Sequence, residues 1–200
     1  MQLIAQQDIV SFLDEMIRKY GDEFKRAVEQ VIQHRHGQHR QIKLNGTKTI
    51  VANHLHEFWV CSLVEKYCEH LGITGSLKKN LIVAAVLHDL YEDFLYDMEG
   101  FDEQIKRIVF EVSKNHSAYG GFSKIGMEGI VLKTADRSVN LYTCVGVFSN
   151  KKISQYIMET REMIHAFDGT DAIRLFCQNE LIFNLALLEE RINESNTCDK

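Results

Sequence analysis

No proline occurs in the 200 residues. Helix interiors tolerate that lack best, since the ring would remove an intrahelical donor and clash with the preceding turn. Strand signals are scarce as well, with no convincing alternating run bounded by turn residues. No apolar run reaches the roughly 20 residues that a bilayer crossing needs. The formal net charge is -5, so there is no overall basic field to draw nucleic acid. Neither a GxxxxGK[ST] loop nor a GxGxxG pattern is present, which argues against P-loop and dinucleotide-binding chemistry. The five cysteines, Cys61, Cys68, Cys144, Cys177 and Cys198, are odd in number, scattered and without CxxC spacing. That argues against a disulfide framework or zinc ribbon and for a reducing, cytoplasmic setting. The N-terminus lacks the basic flank and apolar core of a signal peptide.

What remains is a chain 45% hydrophobic and 26% charged, ordinary for a soluble protein with a sizeable core. No repeat, low-complexity tract or linker divides it. The expectation is one all-α domain over residues 1–200, with 193–200 a frayed polar tail. Asp8 can cap a helix carrying Ile9, Phe12, Leu13, Met16 and Ile17, ended by Gly21. Asp22 can cap a second, with Phe24, Ala27, Val28, Val31 and Ile32 at helical spacing. Gln38 to Asn53 reads as a polar loop with an Asn45-Gly46 turn. A third helix is expected from about Val51 to Leu71, and Ser76 can cap a fourth carrying Leu81, Ile82, Ala85 and Val86. Phe101-Asp102 opens a fifth. Asn115 to Gly126 reads as a second loop. A sixth helix carries Ile130, Val131, Ala135, Val139 and Leu141. Two amphipathic helices, about Lys151 to Phe167 and Asp171 to Ile192, complete the chain.

The fourth helix ends in His88-Asp89-Leu90-Tyr91-Glu92-Asp93. On a helix His88 and Glu92 lie one turn apart, as do Asp89 and Asp93, so four ionisable groups share one surface. Three carboxylates and an imidazole at such spacing repel unless a cation sits among them. Further ligands must come from elsewhere: His56 or His54 upstream, and Asp136 on the sixth helix downstream. A His, His, Asp, Asp set suits manganese, iron or zinc better than calcium and leaves positions for water and substrate. An isolated His-Asp pair near a helix end is more often a solvated polar pair. Here it follows directly on the apolar run Leu81 to Leu87, which favours function.

Three stretches together resemble the HD-domain hydrolases of the RelA/SpoT type, the small alarmone hydrolases in particular. His88-Asp89-Leu90-Tyr91-Glu92-Asp93 is similar to the family's His-Asp-x-x-Glu-Asp. Lys133-Thr134-Ala135-Asp136-Arg137-Ser138-Val139-Asn140-Leu141 is similar to Lys-Leu-Ala-Asp-Arg-Leu-His-Asn-Met. Gly37-Gln38-His39-Arg40 is similar to Gly-Gln-x-Arg. Weaker likeness runs through Phe101 to Lys114 and Tyr156 to Thr160. The resemblance implies a helical HD domain holding one metal, Mn²⁺, through the first histidine, His88, Asp89 and Asp136. The family's apolar pattern after that histidine fits His56 better than His54. It further implies that Glu92 and Asp93 position and activate water, and that Arg40, Lys133, Asn140 and Thr143 lie against a nucleotide. The implied substrate is guanosine tetra- or pentaphosphate, with the 3′-pyrophosphate released. The chain departs from the family in lacking Gly-Glu-Pro-Tyr and His-Pro, in the length from Arg40 to His56, in Tyr142 where an arginine is usual, and in a short 115–126 loop. These departures surround the nucleotide, so another nucleotide substrate (a deoxynucleotide, a nucleoside monophosphate, a cyclic nucleotide or NADPH) stays open as an alternative. A non-catalytic alarmone- or metal-binding regulator is a third reading.

His34 and His39 read as cations near a helix C-terminus. Lys43, Lys48, Arg137, Lys151 and Lys152 read mostly as surface charge that could add local positive field for phosphates. Trp59 and the regularly spaced phenylalanines read as core. The cysteines read as buried small apolar residues.

Overall fold

The structure is a computed structural model that describes residues 3–44, 47–113 and 121–198. Eight α-helices and one small hairpin account for most of them. In chain order these are α1 (Ile9–Tyr20), α2 (Asp22–His34), β1 (His39–Leu44), β2 (Thr47–Ala52), α3 (Leu55–His70), α4 (Gly75–Phe94), α5 (Glu103–Val112), α6 (Met127–Thr143), α7 (Asn150–Ala166) and α8 (Ala172–Cys198). The expected helices are all present. The ends shift by a few residues, as helix ends do. Thr74 rather than Ser76 precedes α4, and α8 runs past Ile192 to Cys198. Among the described residues no helix is long and apolar enough to cross a membrane.

The one element that the sequence reading takes for loop is the hairpin. His39 to Leu44 pairs antiparallel with Thr47 to Ala52, Arg40 opposite Val51 and Ile42 opposite Thr49. Cross-strand partners share a face. One face therefore carries Arg40, Ile42, Thr49 and Val51, of which Ile42 and Val51 are buried. The other carries Gln41, Lys43, Lys48 and Ile50. Two buried aliphatics in two strands make too thin an alternation to stand out from a polar stretch. The expected Asn45-Gly46 turn lies outside the described residues. Half of the 115–126 loop does too; its described half contains a short 3-10 turn, Phe122–Lys124.

Residues 80–88 of α4 are buried on every side, which explains the unbroken apolar run: this helix has no solvent face to pattern. It packs against α2, α3, α5 and α6. Around it lies the main core, which includes Phe24, Leu55, Phe58, Ile82, Leu87, Ile108 and Val131. A smaller apolar cluster of Leu141, Cys144, Val145, Ile153, Leu185 and Leu188 joins the end of α6 to α7 and α8. Only Gly21 separates α1 from α2. Its φ of 79° lies in the left-handed region, and its N–H closes α1 onto the Ile17 carbonyl at 2.8 Å. Asp102 caps α5 by accepting from the Gln104 N–H at 2.7 Å.

Candidate metal centre

The apolar run delivers His88 into the interior at the last turns of α4. Its Nδ1–H donates to the Ala85 carbonyl at 2.8 Å. That bond orients the ring so that Nε2 faces the cluster, the arrangement metal-ligating histidines adopt. His88 Nε2 is buried and makes no well-directed hydrogen bond. It lies 3.2 Å from Asp89 Oδ1 and 3.8 Å from Asp136 Oδ1. His56, in the first turn of α3, brings Nε2 to 3.2 Å from Asp136 Oδ1 and 3.7 Å from Asp89 Oδ2. One ligand atom from each of His56, His88 and Asp136 falls within 4.8 Å of the others. Asp89 stands outside that tight triplet but touches both imidazoles. A buried, undonated imidazole nitrogen amid carboxylates is the environment a divalent cation fits.

The electrostatics agree. Burial would lower the His88 imidazole, but Asp89 and Asp136 outweigh it and raise it to about 9. Burial would raise the Asp136 carboxyl, yet Lys133, His56 and His88 hold it well below the usual carboxylate range. Asp89 is likewise lowered against its burial, by His88 and then His56. The buried Glu57 carboxyl is pushed up, by burial first and then by Asp89.

His54, at the start of α3, is turned to Phe58, with ring centroids 5.6 Å apart. It does not line the cavity. Of the two upstream histidines, His56 is the one whose ring nitrogen lies close to ligand atoms of His88 and Asp136.

The cluster floors a cavity of about 420 Å³. Its wall includes Glu92, Asp93, Arg40, Lys133 and Asn140, so most of the residues singled out in the sequence converge here. Lys133 Nζ donates to Asp136 Oδ2 at 3.1 Å and Asn140 Nδ2 to Asp136 Oδ1 at 2.7 Å. Arg40 reaches across from β1, its Nη2 3.5 Å from Asn140 Oδ1. Thr143 is not brought to the cavity. It is buried, and its hydroxyl donates to the Val139 carbonyl of its own helix at 2.9 Å. The expected contact between Thr143 and a nucleotide has no counterpart in the lining of this cavity.

Sequence reasoning assigned no role to the wall residues Phe148, Gln155 and Tyr156, which come from α7 and the turn before it. Lys152, read as mostly surface charge that could add field for phosphates, lines the wall with them. Lys152 Nζ lies 3.9 Å from the Phe148 ring centroid, and the Arg137 guanidinium 4.6 Å from that of Tyr156. Arg137 Nη2 also pairs with Glu159 Oε2 at 2.7 Å. The amphipathic period of α7 was legible, but nothing local says which part of its polar face meets α6. Arg35 was missed for a similar reason: it reads as one more cation beside His34 and His36. Cys61, Cys68, Cys144 and Cys177 are buried and free. Burial raises all four thiols, that of Cys177 to about 12, so none is a thiolate at neutral pH.

Fold and site together define a helical protein with a buried His-Asp cluster that could hold a divalent cation under a polar cavity. No protein-family model matches the chain, and no curated protein does. Among solved structures the fold is similar to that of a metazoan orthologue of SpoT, described as hydrolysing ppGpp and playing a role in starvation responses. The TM-score is 0.58 at 17% identity, over 80% of this chain and 94% of that one. At that identity the likeness is one of fold.

Proposed function

We propose that the chain is a metal-dependent nucleotide phosphohydrolase, acting on guanosine 3′,5′-bis(diphosphate) or its pentaphosphate relative to release pyrophosphate. One observation carries this: His56, His88 and Asp136 converge beneath a cavity whose wall also bears Arg40, Lys133, Arg137 and Lys152. In a chain of net charge -5, four cations beside an acidic floor suit a substrate that is polyanionic and cleaved at the floor.

His56, His88, Asp89 and Asp136 would hold the cation, Mn²⁺ on the family resemblance. When bound, it would polarise a phosphoryl oxygen and acidify water. Glu92 and Asp93, on the cavity wall one turn beyond His88 and Asp89, orient the attacking water and take its proton. The water oxygen bonds to the phosphorus nearest the ribose, the bond from that phosphorus to the 3′ oxygen breaks, the 3′ oxygen takes up the proton that the carboxylate received, and pyrophosphate leaves. Lys133 and Arg40 receive the phosphates and base, and Asn140 keeps Asp136 in place. No side-chain nucleophile is needed, in keeping with the raised thiols.

A nucleotide panel with Mn²⁺ and product analysis tests the reading. The panel includes guanosine tetraphosphate, deoxynucleotides, monophosphates, cyclic nucleotides and NADPH. Pyrophosphate release from the tetraphosphate is expected. Orthophosphate alone, or cleavage confined to another nucleotide, would sink the substrate assignment. Tight binding without cleavage in the presence of metal would make the protein a regulator instead.

A further inference from the structure

Arg35 follows the last residue of α2, and its backbone N–H closes the helix onto the Val31 carbonyl at 2.9 Å. Its side chain then turns inward and is buried, 3% exposed. Nε donates to Glu57 Oε1 at 2.8 Å. Nη1 lies 2.8 Å from Asp93 Oδ2, and Nη2 3.7 Å from Asp89 Oδ2. The Phe94 ring centroid lies 5.2 Å from the guanidinium carbon. One planar group thus joins the end of α2, the first turn of α3 and the last turns of α4.

The geometry needs a guanidinium. Its donors are fixed in one plane, so engaging Nε with Glu57 sets where both Nη atoms point. An ammonium has no such fork. Glu57 is fully buried beside His56, and its Oε2 has no hydrogen-bond partner among the described residues. A buried ion pair with an unsatisfied oxygen is poor value for stability; a well-packed apolar pair is often as stable or more so. What the pair supplies is direction. The Asp93 side chain is 45% exposed, and without a tether it would lose little by sampling other rotamers.

We propose that Arg35, oriented by Glu57, is a positioning residue that fixes the Asp93 carboxylate in the cavity for the attacking water. The use made of Asp93 rests on the hydrolase reading; the tether itself does not.

The test is a double variant, Arg35→Met with Glu57→Met, which removes both buried charges and strands neither. A folded protein is expected, with unchanged metal content, KM within about threefold and kcat lower by about 10- to 100-fold, the scale of a misplaced catalytic group. Arg35→Lys keeps the charge without the fork and is expected to show the same kcat loss. It also serves as the reporter should the double variant not fold. Crystal structures of wild type and variants read positioning without activity: Asp93 is expected to leave its wild-type rotamer. An unmoved Asp93 overturns the proposal whatever the wild type catalyses. Wild-type kcat in a folded, metal-loaded double variant, or in Arg35→Lys, overturns it too. A wild type that cleaves no nucleotide counts against the hydrolase reading alone and leaves the rotamer result to decide on Arg35.

Discussion

Asp136 is the most heavily engaged residue of the site. His56, Lys133 and Asn140 all lie within 3.2 Å of its two oxygens, so its orientation is held before any cation arrives. Lys133 and Thr143 then make a contrasting pair on the same helix. On the proposed function Lys133→Ala removes a charged hydrogen bond to substrate, worth about 1.5–3 kcal/mol, and raises KM tenfold or more. Thr143→Val removes only a hydroxyl bonded to its own helix and is expected to leave kcat and KM at wild-type values. Steady-state kinetics on the two variants decide it; a KM increase from Thr143→Val would return that residue to the binding surface. The residues legible in the sequence are those carried by contiguous motifs: His88, Asp89, Glu92 and Asp93 fall on one helical surface by spacing alone. Arg35 was not legible, because its partners Glu57 and Asp93 stand far along the chain and no periodicity links them.

At the scale of elements, α6 and α7 are joined across the cavity by Arg137 and Glu159. Burial would raise the Glu159 carboxyl, but the hydrogen bonds from Arg137 and Gln155 and the charges of Arg137 and Lys133 together outweigh it and leave it lowered. A depressed carboxylate contributes stability above its unfolded value, near 4.5, and loses it as pH falls through the folded one. Glu159→Gln is therefore expected to lower Tm at pH 7, and the gap to wild type should narrow below about pH 4.5. A gap independent of pH would mean the contact is packing, not charge. The end of α4 holds a second element-scale feature. Leu95 adopts φ 50°, the only positive φ outside glycine among the described residues, and is 73% exposed. Leu95→Gly relieves the left-handed strain at little cost in packing and is expected to stabilise by up to about 1 kcal/mol, read as a rise in Tm. Helices were legible as elements because most keep one wet face. The hairpin was not, because Ile42 and Val51 alone mark its inner face.

At the scale of the whole molecule, the cluster draws on α3, α4 and α6, so an ion held there would tie three helices together. Binding to the folded state alone stabilises by about 2.7 kcal/mol at a hundred times Kd. Tm should therefore climb with Mn²⁺ and fall back with chelator in the wild type, and stay flat in His88→Ala. A parallel climb in that variant would overturn the site. The helical architecture could be read in advance from missing proline, absent strand signals and helical periodicity. The packing of α7 over the cavity could not, since it depends on a second apolar cluster that forms only when α6, α7 and α8 meet. The hairpin has one more consequence. Arg40 projects from a two-stranded ribbon on the rim, whereas His56, His88 and Asp136 sit on helices rooted in the core. On the proposed function, base selectivity and bond cleavage would thus be housed in separate parts. Exchanging residues 39–52 for a ribbon of equal length would then amount to a transplant of substrate preference, with the proposed hydrolytic residues left in their original frame.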